Sequence, residues 1–176
     1  MTIPSSEVDR IVSAGPVSLP LSQTALQHKD GCPVQPQDAA ILFPAARDRQ
    51  AALAGLLLRM GCWAESHTAA QDIHSAEGSY WHGILHRMEP DSFNAEYWFG
   101  KVGQHPIFPD LFRRATEILD NSGPKHWRLK TAWDPFVFIE WCDEARATGG
   151  QLEAAAVNIQ MAEWELLFNW CSAKQG

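Results

Sequence analysis

The chain has 176 residues, 45% apolar and 20% charged, with 12 Gly and 11 Pro, the make-up of one globular domain and neither a short scaffold nor a disordered tail. Fourteen basic side chains against 21 acidic ones give a formal charge of −7, which disfavours nucleic acid and anionic lipid as partners, because both are bound through Lys and Arg. The longest strongly apolar run, 51–58, is far short of the ~18–20 residues of a membrane span. The first twenty residues carry no basic start or apolar stretch of a signal peptide, so no membrane partner and a cytoplasmic location are expected. Cys32, Cys62, Cys142 and Cys171 are scattered without a C-x-x-C pair. Unpaired thiols in a reducing cytosol are therefore the expectation, and no zinc knuckle is present.

Residues 1–37 contain Pro4, Pro16, Pro20, Pro33 and Pro36 with Gly15 and Gly31, too many breakers for a long element. They read as a Pro-rich N-terminal arm with one short helix over 7–13, docked on the body through Val17, Leu19 and Leu21. Residues 38–176 read as a single helical domain. Ala51, Leu53, Leu56, Leu57 and Met60 recur at helical spacing before Gly61. A second helix is predicted over 63–76, broken at Gly78, and a third over 79–89, ended by Pro90. Asp91 or Ser92 caps a fourth, which runs through Asn94, Trp98 and Val102.

Pro109 and Asp110 suit the first turn of a helix whose apolar stripe is Leu111, Phe112, Ala115, Ile118 and Leu119. Asp134 and Pro135 are the clearest start signal in the chain, opening a helix over 136–146 that Gly149 and Gly150 close. The last helix, 151–173, carries two apolar seams, one through Leu152, Ala156, Ile159, Leu166 and Trp170, the other through Val157, Met161, Trp164, Phe168 and Cys171. Two seams imply packing on more than one side. Strand signals are weak throughout. The expected architecture is all-α, six or seven helices in antiparallel hairpins, with basic 113–130 facing acidic 131–176.

Two strings nearly repeat, Tyr80-Trp81-His82-Gly83 and Tyr97-Trp98-Phe99-Gly100. In an antiparallel helix pair they could stack. With Gly83 at a small position, Ala95 and Phe99 twelve and sixteen residues later and a closing Pro106, the stretch 79–106 resembles a tetratricopeptide repeat. That resemblance implies a helical hairpin and, as one functional alternative, a non-catalytic module whose concave aromatic face binds a peptide or protein. The longer string YWHGILHRMEPDSFNAEYWF resembles a signature of a bacterial protein family and implies no particular activity.

Five of the seven histidines, His67, His74, His82, His86 and His105, fall between positions 67 and 105. His82 and His86, four apart, project from one helix face, the geometry with which two imidazoles bind one metal. His67 and His74, seven apart, share a face of the preceding helix. If the two helices form a hairpin, all four, with Glu77, Glu65 or Asp72, could surround a transition metal such as Zn, Fe, Ni or Mn. No Glu follows His82, so this is not a zincin motif. His82 or His86 could equally act as a metal-free acid/base, or the cluster could be half-buried core. Around the next turn, Arg87 could clamp an anionic small molecule, with Glu89 and Asn94 beside it and Trp81 or Trp98 as pocket wall. Cys142 is a poor nucleophile candidate beside Asp143 and Glu144.

Overall fold

A computed structural model describes residues 19–25 and 32–174. Among them are eight α-helices and no β-strand: α1 (Ala39–Leu42), α2 (Arg49–Arg59), α3 (Trp63–Gln71), α4 (Ala76–Met88), α5 (Ser92–Val102), α6 (Phe108–Ser122), α7 (Pro135–Thr148) and α8 (Gly150–Ser172). The protein is all-α. The count exceeds six or seven because of α1, a single turn entered through a 3-10 turn at Pro36–Asp38, too short to show a helical period. The helix expected over 7–13, and Val17, lie outside the described residues.

Four short polar side chains set the helix starts by accepting backbone N–H bonds that the helix itself leaves unmet. Asp48 accepts from Ala51 at 3.0 Å, Ser75 from Gly78 at 3.3 Å, Asp91 from Asn94 at 3.2 Å and Asp134 from Phe136 at 2.9 Å. The Ser75 cap corrects one expectation. Gly78 does not break the chain but sits in the first turn of α4, and the preceding helix stops earlier, at Gln71.

Helices α2 and α3 pair across a short turn at Gly61, and α4 and α5 pair across 89–91. Glycines let these faces meet. A Cβ on Gly83 would lie 2.9 Å from the Phe99 ring, and one on Gly55 would lie 2.6 Å from Trp81. The two near-repeated strings do face each other across the α4–α5 hairpin, with Tyr80 edge-on to Phe99 at 5.3 Å and His82 stacked on Trp98 at 4.0 Å. Trp81 is wholly buried core, not a pocket wall.

The long helix α8 packs against α2, α6 and α7, and both of its seams are covered. Its centre carries a polar network with no solvent access: Gln160, Glu163 and, from α4, Arg87, each 0% exposed. The Arg87 guanidinium pairs with the Glu163 carboxylate and donates to Gln160 Oε1 from Nε (3.3 Å) and Nη2 (3.1 Å); Tyr80 donates its hydroxyl to Glu163 at 3.1 Å. Arg87 is thereby fully engaged inside the bundle and does not clamp an external anion. The network also holds the N-terminal arm. Gln160 donates to the carbonyls of Leu19 and Pro20 at 3.1 and 3.0 Å, and Arg146 donates to those of Leu21 and Arg87 at 3.1 and 3.0 Å. Leu19 and Leu21 are buried beside it, as their apolar character suggested.

A second link joins α4 to α8. Trp170 donates its indole N–H to Glu77 at 2.9 Å, and His105 Nε2 lies 3.8 Å from the same carboxylate. Since Ile107 N–H donates to His105 Nδ1, the ring proton sits on Nε2, facing Glu77. The His105 imidazole first, and then the Trp170 N–H, hold the Glu77 carboxyl down to about 2. Arg114 meets Glu165 at 2.6 Å, one contact between the basic and acidic stretches.

The thiol expectation needs correction at one pair: Cys32 and Cys62 form a disulfide that ties the segment before α1 to the start of α3. Being 30 residues apart, they gave no local spacing signal. Cys142 and Cys171 are free and buried. Burial, more than the neighbouring acids, pushes the Cys142 thiol up to about 12, so it is unreactive for a different reason from the one its flanking carboxylates suggested. No helix among the described residues is long and apolar enough to cross a membrane.

Replacing Glu163 by Leu leaves the Arg87 cation buried and uncompensated, and a loss of ~3–5 kcal/mol is expected in chemical denaturation. The double variant Arg87→Met/Glu163→Leu should regain most of that loss; two additive losses would show that the pair is not coupled. For Glu77, a folded-state value below the ordinary 4.5 means stability that is present above pH ~4.5 and lost as pH falls towards 2. Denaturation midpoints across that window should fall for the wild type, while Glu77→Gln, weaker at neutral pH, should lack this part of the acid limb.

Candidate metal centre

Three imidazoles converge where α3 crosses the α4–α5 hairpin. The Ser75 cap fixes the register of α4, so His82 and His86 sit one turn apart on the face turned to α3, and His67 reaches them from α3. His67 Nε2 lies 3.0 Å from His82 Nε2 and 3.5 Å from His86 Nε2. The His82 and His86 rings are nearly parallel, 4.9 Å apart, and His67 stands edge-on to both.

Aromatic rings fix this posture. Trp63, one turn before His67, stacks on it at 5.0 Å, and Trp98 from α5 stacks on His82 at 4.0 Å. On the outer side, His86 Nδ1 faces two carboxylates, Glu89 at 3.2 Å and Asp91 at 3.9 Å. His82 is buried, the His86 side chain retains 12% exposure and His67 is half-buried; neither His82 Nδ1 nor His86 Nδ1 makes a hydrogen bond.

Electrostatics favour the neutral form at two of the three imidazoles. Burial pushes the His82 imidazole down to about 4, with the neighbouring His67, His86 and the Lys101 ammonium adding to the shift. Burial, followed by His86, also lowers His67. Neutral imidazole is the metal-binding form, so His67 and His82 offer nitrogen lone pairs at neutral pH.

Of the four histidines and one acid expected in a single shell, three histidines meet. His74 is exposed past the end of α3, since the helix stops before reaching it and the one-face spacing with His67 no longer applies. Glu77 points across α4 to Trp170 and His105. Asn94 turns back on its own cap, donating to Asp91 at 2.6 Å. Glu89 lies beside His86, and Trp98 is indeed a wall, but of the histidine cluster. Trp63 and Lys101 were not among the expected site residues, and Asp91 was expected as the cap of its helix. Trp63 was readable as the residue four before His67; Lys101 depends on the α4–α5 crossing.

Two cavities flank α5. A cleft of about 560 Å³ is lined by Phe99, Phe108, Arg128, Lys130, Trp133 and Phe136, and no histidine reaches it. Trp127 and Trp141 stack on each other at 4.9 Å away from that cleft, as core. A smaller cavity of about 360 Å³ opens between α3, α4 and α5, with His74, Ser79, Trp98 and Lys101 in its wall. Compared with known proteins, the chain matches no protein-family model, no curated protein and no solved structure.

Proposed function

We propose that His67, His82 and His86 together bind one transition-metal ion, Zn²⁺ foremost, and that this ion keeps a coordination position open to water or a small molecule. The observation that carries the reading is the convergence of three Nε2 atoms. The separations of His67 Nε2 from the other two, 3.0 and 3.5 Å, bracket the ~3.3 Å between nitrogens of a tetrahedral ion with bonds of ~2.0–2.1 Å, and ligand nitrogens of all three lie within 4.8 Å of one another. Three protein ligands with a free fourth position are the mark of zinc sites that do chemistry, whereas structural sites use four.

Hydrogen bonding alone serves this arrangement poorly. A neutral imidazole has one N–H, so a proton on one Nε2 can satisfy one neighbour well and leaves the third lone pair facing the other two. A cation accepts all three. The placing of Glu89 and Asp91 opposite His86 Nδ1 matches the outer carboxylate that commonly orients a metal-bound histidine and raises its basicity. Imidazole donors also suit Fe, Ni and Cu, which keeps the choice of ion an experimental matter.

The peptide-binding alternative has less support. Of the aromatic residues of the repeat-like hairpin, Tyr80, Trp81 and Phe99 are buried in the core and Trp98 is stacked on His82, which leaves Phe93 and Tyr97 on α5 as its exposed rings.

Untagged protein analysed for metals should carry or take up one ion per chain. His67→Ala, His82→Ala and His86→Ala should each lower affinity at least ~100-fold in calorimetric titration, and Glu89→Gln ~10–100-fold. His74→Ala should change nothing. Folded wild type that takes up no transition metal, or a His74→Ala loss as large as that of His82→Ala, would sink the reading; circular dichroism of each variant guards against misfolding.

A further inference from the structure

We propose that the cavity between α3, α4 and α5 binds a small organic oxyanion, a carboxylate or phosphate ester, and presents one of its oxygens to the open position of the ion. This rests on the metal reading above and adds the class of molecule that the centre acts on or senses.

None of the three imidazoles lines the cavity, but three of its wall residues neighbour them. Gln71 lies one turn beyond His67 on α3, Ser79 lies one turn before His82 on α4, and the Trp98 ring is stacked on His82. One helical turn advances ~5.4 Å, so Gln71 and Ser79 stand about one turn from the metal ligands along their helices, a distance that a small anion spans.

Its chemistry is set by what lines it. In a chain of net charge −7, no carboxylate borders this cavity, and Lys101 and His74 do. The Lys101 ammonium lies over the rings of Tyr97 and Trp98 at 4.5 and 4.6 Å, and no carboxylate among the described residues pairs with it. The Gln71 amide and the Ser79 hydroxyl add donors that an oxyanion can use.

Apolar ligands are poorly served. Trp98 is already covered by His82 and approached by Lys101, which leaves Ile73 and Ala76 as the remaining apolar wall. A volume of about 360 Å³ sits at the low end of the ~300–1,000 Å³ typical of small-molecule sites. A small polar anion fits these limits.

The test uses full-length protein loaded with Co²⁺, whose visible spectrum reports on its ligands, titrated with propionate and with methyl phosphate. The expected result is a saturable spectral change in the wild type, and at least a tenfold weaker anion affinity in cobalt-loaded Lys101→Gln. Amide shifts confined to 71–79 and 98–101 in the Zn²⁺-loaded protein should accompany it. Equal anion affinity in wild type and Lys101→Gln would mean that the anions bind the ion without the cavity, overturning the proposal. Cobalt that loads but answers to neither anion would also overturn it, with the metal reading intact. Failure of cobalt to load would remove both.

Discussion

The pairing of Arg87 with Glu163 is the contact on which the other arrangements depend. Two opposite charges removed from water are tolerated only if every donor and acceptor around them is satisfied. That demand recruits Tyr80, Gln160 and, through Gln160 and Arg146, the backbone of 19–21. Apolar packing would admit small rotations of α4 against α8. A guanidinium seated against a carboxylate and a carboxamide does not, because a slip of one residue would strand a buried charge.

That fixed rotation has a distant effect on the histidines. Tyr80 and Arg87 are seven residues apart and share the face of α4 turned to α8. Successive residues advance by about 100°, so His82 and His86 are carried to the other side, towards α3 and α5. The charge pair thus sets the direction of the two imidazoles without touching them. On α3 the Cys32–Cys62 disulfide and the Trp63 ring stand at the N-terminal end of the helix that brings His67. The orientation of the centre is consequently a property of the whole bundle.

Much of the fold could be read from local chemistry. Asp134-Pro135 and Asp91 act as caps because their effect spans only three residues, and the two seams of α8 followed from periodicity. The failures have a common cause. Ser75 and Gly78 offered competing punctuation, and the cap prevailed because its hydroxyl satisfies an N–H that would otherwise be unmet. Arg87 looked like a surface clamp because its partners, Gln160 and Glu163, lie more than seventy positions away. Cys32 with Cys62, 30 positions apart, and Glu77 with Trp170 are likewise partners that no local spacing reveals. For the site, the i,i+4 pair of His82 and His86 was visible in one helix and His67 followed from a hairpin, but excluding His74 required knowing that α3 ends at Gln71.

The stacking of Trp63 on His67 and of Trp98 on His82 has an optical consequence. Of the eight indoles in the chain, these two share a ring face with an imidazole of the cluster. Their emission is therefore coupled to whatever occupies the histidine nitrogens, and a paramagnetic ion there would quench them ahead of the indoles in the core. An ion bound there as proposed would be reported by these two indoles in the native chain, without a label.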